Sequence, residues 1–233
     1  MTRSAHNCLS LISVRGRRHA GESLIEVLVT VTIISVGLLG IAALQFMSKR
    51  SNFDAVERTI ATQLANGILE RMRANSTVLT TYAGSSDIPN PTLGYGSTVF
   101  ASGEPSPNCT TAQPCLPNPL ATHDLWEWEQ KLLGATETLG TNNAGGLANP
   151  IACITTAVSS GPVNRSGHYT VAIAWRGNVD MADPQNPIQP APSPDPYSCG
   201  RDNGPMGTGP YDGSSKNSYR RILIVDTYIA QSP

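Results

Sequence analysis

Arg17-Arg18-His19-Ala20-Gly21-Glu22-Ser23-Leu24-Ile25-Glu26-Val27-Leu28-Val29, continuing as TVTIISVGLLGIAALQFM over residues 30–47, carries the strongest signal in the chain. Residues 27–47 hold no charged side chain. A helix rising about 1.5 Å per residue covers roughly 30 Å over such a run, the thickness of a bilayer's hydrocarbon core. The run therefore predicts one membrane span at about residues 24–47. It is longer than the apolar region of a cleaved signal peptide, and no Ala-x-Ala site follows it. Cys8 follows Ala5-His6-Asn7, which is not the small-residue box of a lipoprotein signal. Arg3, Arg15, Arg17 and Arg18 precede the span and no acid accompanies them, which puts the N-terminus on the cytoplasmic side. Lys49 and Arg50 weaken that asymmetry without reversing it. Glu26 interrupts the apolar pattern five residues after Gly21. A carboxylate at the membrane edge costs less than the roughly 2.5–3.5 kcal/mol of one at the centre, and a helix N-terminus favours it. An acid in that position is still a functional candidate.

Beyond the span, Phe53, Val56, Ile60, Leu64, Ile68 and Met72 recur mostly four apart, with Ala61, Ala65 and Leu69 beside them. That is the stripe of an amphipathic helix. Asp54, Glu57, Arg58, Glu70, Arg71 and Arg73 occupy the other side and read as a solvated face, with Asp54 and Arg58 spaced for a modest i,i+4 contact. No proline occurs between Gly21 and Ile88. One helix is thus predicted over residues 22–75, ending near Ala74, with Gly37 and Gly40 as weak points each costing about 1 kcal/mol relative to Ala. Its outer half needs a partner for its stripe, which residues 76–233 must supply as a globular domain.

Residues 84–121 are rich in Gly, Ser, Thr and Pro and read as loop. Asp124 and Glu127 form a capping-box-like pair opening a short helix from Leu125 to about Leu133. Trp126 and Trp128 within it resemble a carbohydrate platform, but core or interface packing is the commoner role. Three strands are predicted, at Ala152–Val158, His168–Trp175 and Arg221–Ala230. In the second, Tyr169, Val171, Ile173 and Trp175 alternate with smaller residues; in the third, Leu223, Val225, Thr227 and Ile229 share a face. A proline-rich loop, roughly Gly177–Tyr219, joins them. A long helix followed by an antiparallel sheet makes the fold class α+β.

The chain has 16 basic and 17 acidic residues, and four of the basic ones lie in the first 21 positions, so the remainder is acidic. Phosphate-driven nucleic-acid binding is not expected of such a body. Cys109, Cys115, Cys153 and Cys199 include no CxxC, and only His123 and His168 accompany them, which argues against zinc. In an exported, loop-rich chain they read as two disulfides. Cys109–Cys115 with Cys153–Cys199 is the expected pairing, since Cys109 and Cys115 close a short loop. Cys109–Cys153 with Cys115–Cys199, or the crossed form, stays open. Asp180, Asp183 and Asp202 lack the alternating array of a calcium loop and read as solvated acids. There is no GxSxG, Walker, HExxH or dinucleotide motif, and His168 beside Ser166 has no evident orienting acid. Neither enzyme activity nor a cofactor is expected. The sequons at Asn75, Asn108 and Asn164 read as chance.

Gly21, Glu22 and Glu26, set between the arginines and the long span, resemble the processing site of type IV prepilins. The resemblance implies a leader over residues 1–21, a cut after Gly21 by prepilin peptidase and methylation of the new N-terminus at Glu22. It departs from the family's usual Phe at Glu22. Val36-Gly37-Leu38-Leu39-Gly40 narrows the likeness to the PilV minor pilins, and His168–Gly177 and Arg220–Tyr228 are similar to their strands. The family's fold is the α+β pilin fold, with a membrane-embedded helix and a head bearing disulfide loops. The likeness implies anchoring in the inner membrane, then transfer to a surface pilus beside the major pilin and other minor pilins. It gives Glu26 the role of meeting a neighbour's N-terminal amine, and the head that of presenting loops to partners or to a host or surface ligand. A minor pseudopilin of type II secretion shares the same leader and helix and is the alternative.

Overall fold

The structure is a computed structural model that describes residues 24–84, 92–110, 114–156, 166–188 and 194–231. Gly21 and Glu22 lie outside these. The chain divides into two compact units, one ending at Lys49 and the other beginning at Arg50. Helix α1 runs from Leu24 to Ala74 and contributes to both. In the first unit every residue of the helix is exposed, apolar ones included. Three of its hydroxyls bond internally: Thr30, Thr32 and Ser35 donate to the carbonyls of Val27, Val29 and Val31 at 2.9, 2.8 and 2.7 Å. A helix meant for lipid must do this, because no water is available there to take the bonds.

In the second unit α1 buries Ala61, Ala65, Ile68, Leu69 and Met72. The apolar stripe is buried only from this point: Phe53 and Val56 remain exposed, and Ile60 and Leu64 are partly buried against the core. After α1 come a 3-10 turn, Ser76–Val78, and helix α2, Leu79–Ala83. Strand β1, Thr92–Gly94, falls inside the stretch expected to be all loop. It ends at Gly94 because φ there is +105° and a Cβ would stand 2.2 Å from the Pro150 carbonyl oxygen. Only glycine permits both.

Helix α3 spans Pro117–Leu132, which corrects the expected start at Leu125. Extended Leu116 leads into Pro117 at the first helical turn, where a missing N–H breaks no internal bond. Asp124 therefore lies mid-helix and caps nothing. Ala121, Leu125, Trp128 and Leu132 form its buried stripe. A small hairpin, β2 at Thr138–Leu139 and β3 at Asn142–Asn143, follows.

Strands β4 (Ile151–Thr156), β5 (Gly167–Arg176) and β6 (Arg220–Ile229) complete an antiparallel sheet of order β1-β4-β5-β6. The register sets Ala152 beside Ile173 and Ile154 beside Val171, with Leu223 and Val225 continuing the row on β6. These side chains, with Tyr169 and Trp175, join the α1 and α3 stripes in one core. The opposite face, with Ile151, Cys153, Ala172 and Ala174, is covered by the segment between β5 and β6. Tyr211 donates its hydroxyl to the Asn149 carbonyl at 2.7 Å. Gly200, at φ +69°, lies so close that a Cβ would meet that of Ala174 at 2.9 Å. A proline-rich segment thus serves as the second wall of a half-covered sheet.

Candidate functional site

Glu26 lies in the first turn of α1, exposed among apolar side chains. No other acid occurs on the helix before Asp54, so a carboxylate is offered laterally at one level of the apolar segment.

The charged side of α1 in the second unit is partly engaged: Glu57, Arg71 and Arg73 bond across to other elements of that unit, whereas Arg58 and Glu70 stay exposed. Arg71 bridges Asp124 at 2.6 Å and Glu127 at 2.7 Å, and Lys131 holds the other oxygen of Glu127 at 2.7 Å. Burial pushes the Glu127 carboxyl up, but hydrogen bonds from Lys131 and Arg71 outweigh it and hold the group below its usual range. Tyr82 donates to Asp124 at 2.5 Å, and Asn75 donates to the Pro117 carbonyl at 2.8 Å. Burial, with the Asp124 carboxylate adding to it, keeps the Tyr82 hydroxyl protonated. Asn75, the first sequon residue, is buried in this bond. Arg73 donates to Glu70 and to Thr227 on β6. Glu57 accepts the Trp175 indole N–H at 3.2 Å, and burial raises its carboxyl. Among the described residues Asp54 and Arg58 form no ion pair, and Asp54 Oδ1 is buried without a hydrogen-bond partner. Trp128 donates to the Leu64 carbonyl at 3.0 Å and is buried, so it is a core residue. Trp126 stacks obliquely on His123 with ring centroids 5.5 Å apart.

The loop acids are likewise structural acceptors, which corrects their reading as solvated groups. Asp183 receives Arg220 Nε at 2.7 Å and Arg201 Nε at 3.1 Å. Arg220 is fully buried, and two further donors reach the Cys199 and Pro184 carbonyls at 2.9 Å. Asp180 accepts from the Ser214 amide and Asp202 from that of Gly204. Among the described residues no three His, Cys, Asp or Glu side chains are grouped to hold a metal. The sequence gives no local sign of Arg220's role, because Asp183 lies 37 residues away. His168 does have an orienting acid: its Nδ1 lies 3.0 Å from Asp226, which also accepts from Thr170 at 2.8 Å. Ser166, the neighbouring hydroxyl, instead accepts the Gln231 amide.

Two disulfides fix the loops. Cys109 is bonded to Cys115, and Cys153 on β4 to Cys199, with separations of 6 and 46 residues. Beside the second lies an open cleft of about 540 Å³, bordered by Asp195, Arg201 and Asp202.

A long N-terminal helix followed by an antiparallel sheet, with two disulfides, is the α+β type IV pilin fold. Residues 43–126 match the family model described as Type IV pilin Tt1218, and residues 16–42 match the prokaryotic N-terminal methylation motif. The two matches meet end to end within the apolar helix, between residues 42 and 43. No curated protein and no solved structure matches the chain.

Proposed function

We propose that this chain is a minor pilin of a type IV pilus, made as an inner-membrane precursor and cut by prepilin peptidase between Gly21 and Glu22. It then enters the filament beside the major pilin and other minor pilins, where it initiates or modifies assembly in twitching and adhesion. The observation that carries this is one arrangement: basic residues, Gly21, an acid at Glu26 and a charge-free span. The methylation-motif match over residues 16–42 supports it. The Val36–Gly40 run supports the narrower PilV likeness.

Mechanistically, a new amine at Glu22 and the carboxylate of Glu26 have opposite charge. Between neighbouring subunits in a lipid-like medium their attraction is far stronger than in water. An unpaired Glu26 in the same medium is costly, so each subunit is driven to place it against a neighbour's amine. The apolar helix supplies the surrounding contact area.

Shearing filaments from the native cells tests the reading. The chain is expected in the filament fraction, and to be lost from it when prepilin peptidase is deleted. Glu26→Ala is expected to leave cleavage and membrane insertion intact and to deplete the chain from filaments. A chain never found in filaments contradicts the pilin reading; undiminished incorporation of Glu26→Ala contradicts the charge-pairing role alone.

A further inference from the structure

β6 forms one edge of the sheet, and its hydrogen bonds show which of its amides are spoken for. Gly177 donates to the Tyr219 carbonyl at 2.8 Å, whereas Arg176 donates to Ala148 on the opposite side at 2.8 Å. In an antiparallel ladder such bonds alternate residue by residue. Arg221, Leu223, Val225 and Thr227 therefore direct N–H and C=O toward β5, and Ile222, Ile224, Asp226 and Tyr228 direct theirs away. Among the described residues no strand pairs on that side and no hydrogen bond reaches the backbone of these four. The free stretch is bounded at its start, where Arg220 N–H donates to Asn217 and the Arg221 side chain donates to the Arg220 carbonyl.

Edges of this length are normally blunted by charged side chains, lysine above all, or by proline, a bulge or shortness. β6 has one such charge among its four outward residues, Asp226, and otherwise pairs with β5 over ten residues without a break, with no Lys, Pro or Gly from Arg220 to Ile229. Its outward row ends on exposed Asp226 and Tyr228, with half-buried Ile222 and Ile224 before them.

We propose that the outer edge of β6 docks an extended strand of a different pilus subunit, adding a fifth strand to the sheet through the amides and carbonyls of Ile222, Ile224, Asp226 and Tyr228. Asp226, held by Thr170 and His168, gives the edge one fixed negative charge, so the incoming strand carries a basic residue opposite it and apolar residues beside Ile222 and Ile224. A second copy of this chain fits poorly. Parallel pairing of two β6 strands brings Asp226 close to its own counterpart. Antiparallel pairing reverses one α1 against the other, because Glu57–Trp175 and Arg73–Thr227 contacts make β6 run in the same sense as α1. Subunits of one filament share a polarity and cannot adopt that arrangement.

The inference rests on the pilin reading, and amide-resolved hydrogen exchange on the full-length mature protein separates the two. In detergent, the four outward amides are expected to exchange at least about a hundredfold faster than those of Leu223, Val225 and Thr227, and in sheared filaments to slow to the inward level. Ile224→Pro removes one outward N–H and leaves the β5 ladder whole; it is expected to fold with both disulfides formed and to be depleted from filaments, whereas Leu223→Pro is expected to unfold the sheet. A wild-type chain that enters filaments with its outward amides still fast overturns the inference and spares the pilin reading. Absence from filaments overturns both. Protection in detergent with a dimer's mass shows a second copy on the edge and overturns the assignment to a different subunit.

Discussion

Arg71 lies 53 residues from Asp124 and Tyr82 lies 42 from it, yet the three form one contact. The Asp-x-x-Glu spacing from Asp124 to Glu127 invites reading as a helix cap, and nothing local distinguishes the two roles. What separates them is that Pro117 and Pro119 can both occupy a first helical turn, so the helix starts upstream and carries Asp124 into its body. Asp124→Ala is expected to destabilise the unit beginning at Arg50 by about 2 kcal/mol, because the buried Tyr82 hydroxyl loses the acceptor it donates to and Arg71 keeps only Glu127. Asp124→Asn, which keeps an acceptor, should cost visibly less; urea midpoints of the three proteins measure the difference. Glu57 behaves in the opposite way. Burial, only partly offset by the Trp175 N–H, lifts its carboxyl above the ordinary 4.5, so its protonated form is favoured in the folded state. That contribution is complete below pH 4.5 and is lost as pH rises through the folded value. Glu57→Gln should therefore gain stability relative to wild type between pH 4 and pH 7, read from melting temperatures at both. A constant difference across that range contradicts the assignment.

Among the elements, β5 and β6 are legible in the sequence to within a residue because a sheet with two distinct faces imposes period two on Tyr169–Trp175 and Leu223–Ile229. α1 is legible because its two halves show two different patterns, one wholly apolar and one striped. α2 and β1 are not. They have five and three residues, too few for a period to show, and contacts distant in sequence hold them in place. The stripe of α1 is also misread at its start: periodicity reports that Phe53 and Val56 align with the core residues, but not where the core ends. Disulfides belong to this scale too. In the chain-entropy account the 46-residue closure by Cys153–Cys199 contributes about 4 kcal/mol, against about 2–3 for the 6-residue closure by Cys109–Cys115. Cys153→Ser should lower the denaturation midpoint more than Cys109→Ser. It should also free the segment after β5 from the sheet, exposing Ala172 and Ala174. Equal losses contradict the view that the long closure holds the second wall in place.

At the scale of the whole molecule, the chain is two solutions to the same problem of apolar surface. The unit from Arg50 onward buries its own core, whereas the helix up to Lys49 buries none of its described residues and bonds the Thr30, Thr32 and Ser35 hydroxyls internally. A helix of that kind needs an apolar surrounding, and in the proposed assembly, where neighbouring helices replace lipid, Glu26 is the charge that makes the exchange selective. Neither the filament position nor the partner strand proposed for β6 is written in the sequence, since both depend on surfaces assembled from distant residues. The processing site proposed at Gly21 and Glu22, by contrast, rests on local sequence alone, because a peptidase reads local sequence. The mass of the N-terminal peptide of the protein isolated from its native membrane or filaments is therefore the most direct test of the account. The chain is expected to begin at Glu22 with one methyl group on its amine and with the apolar run retained. A protein that still carries Arg17 and Arg18, or one that has lost residues 27–47, would contradict it.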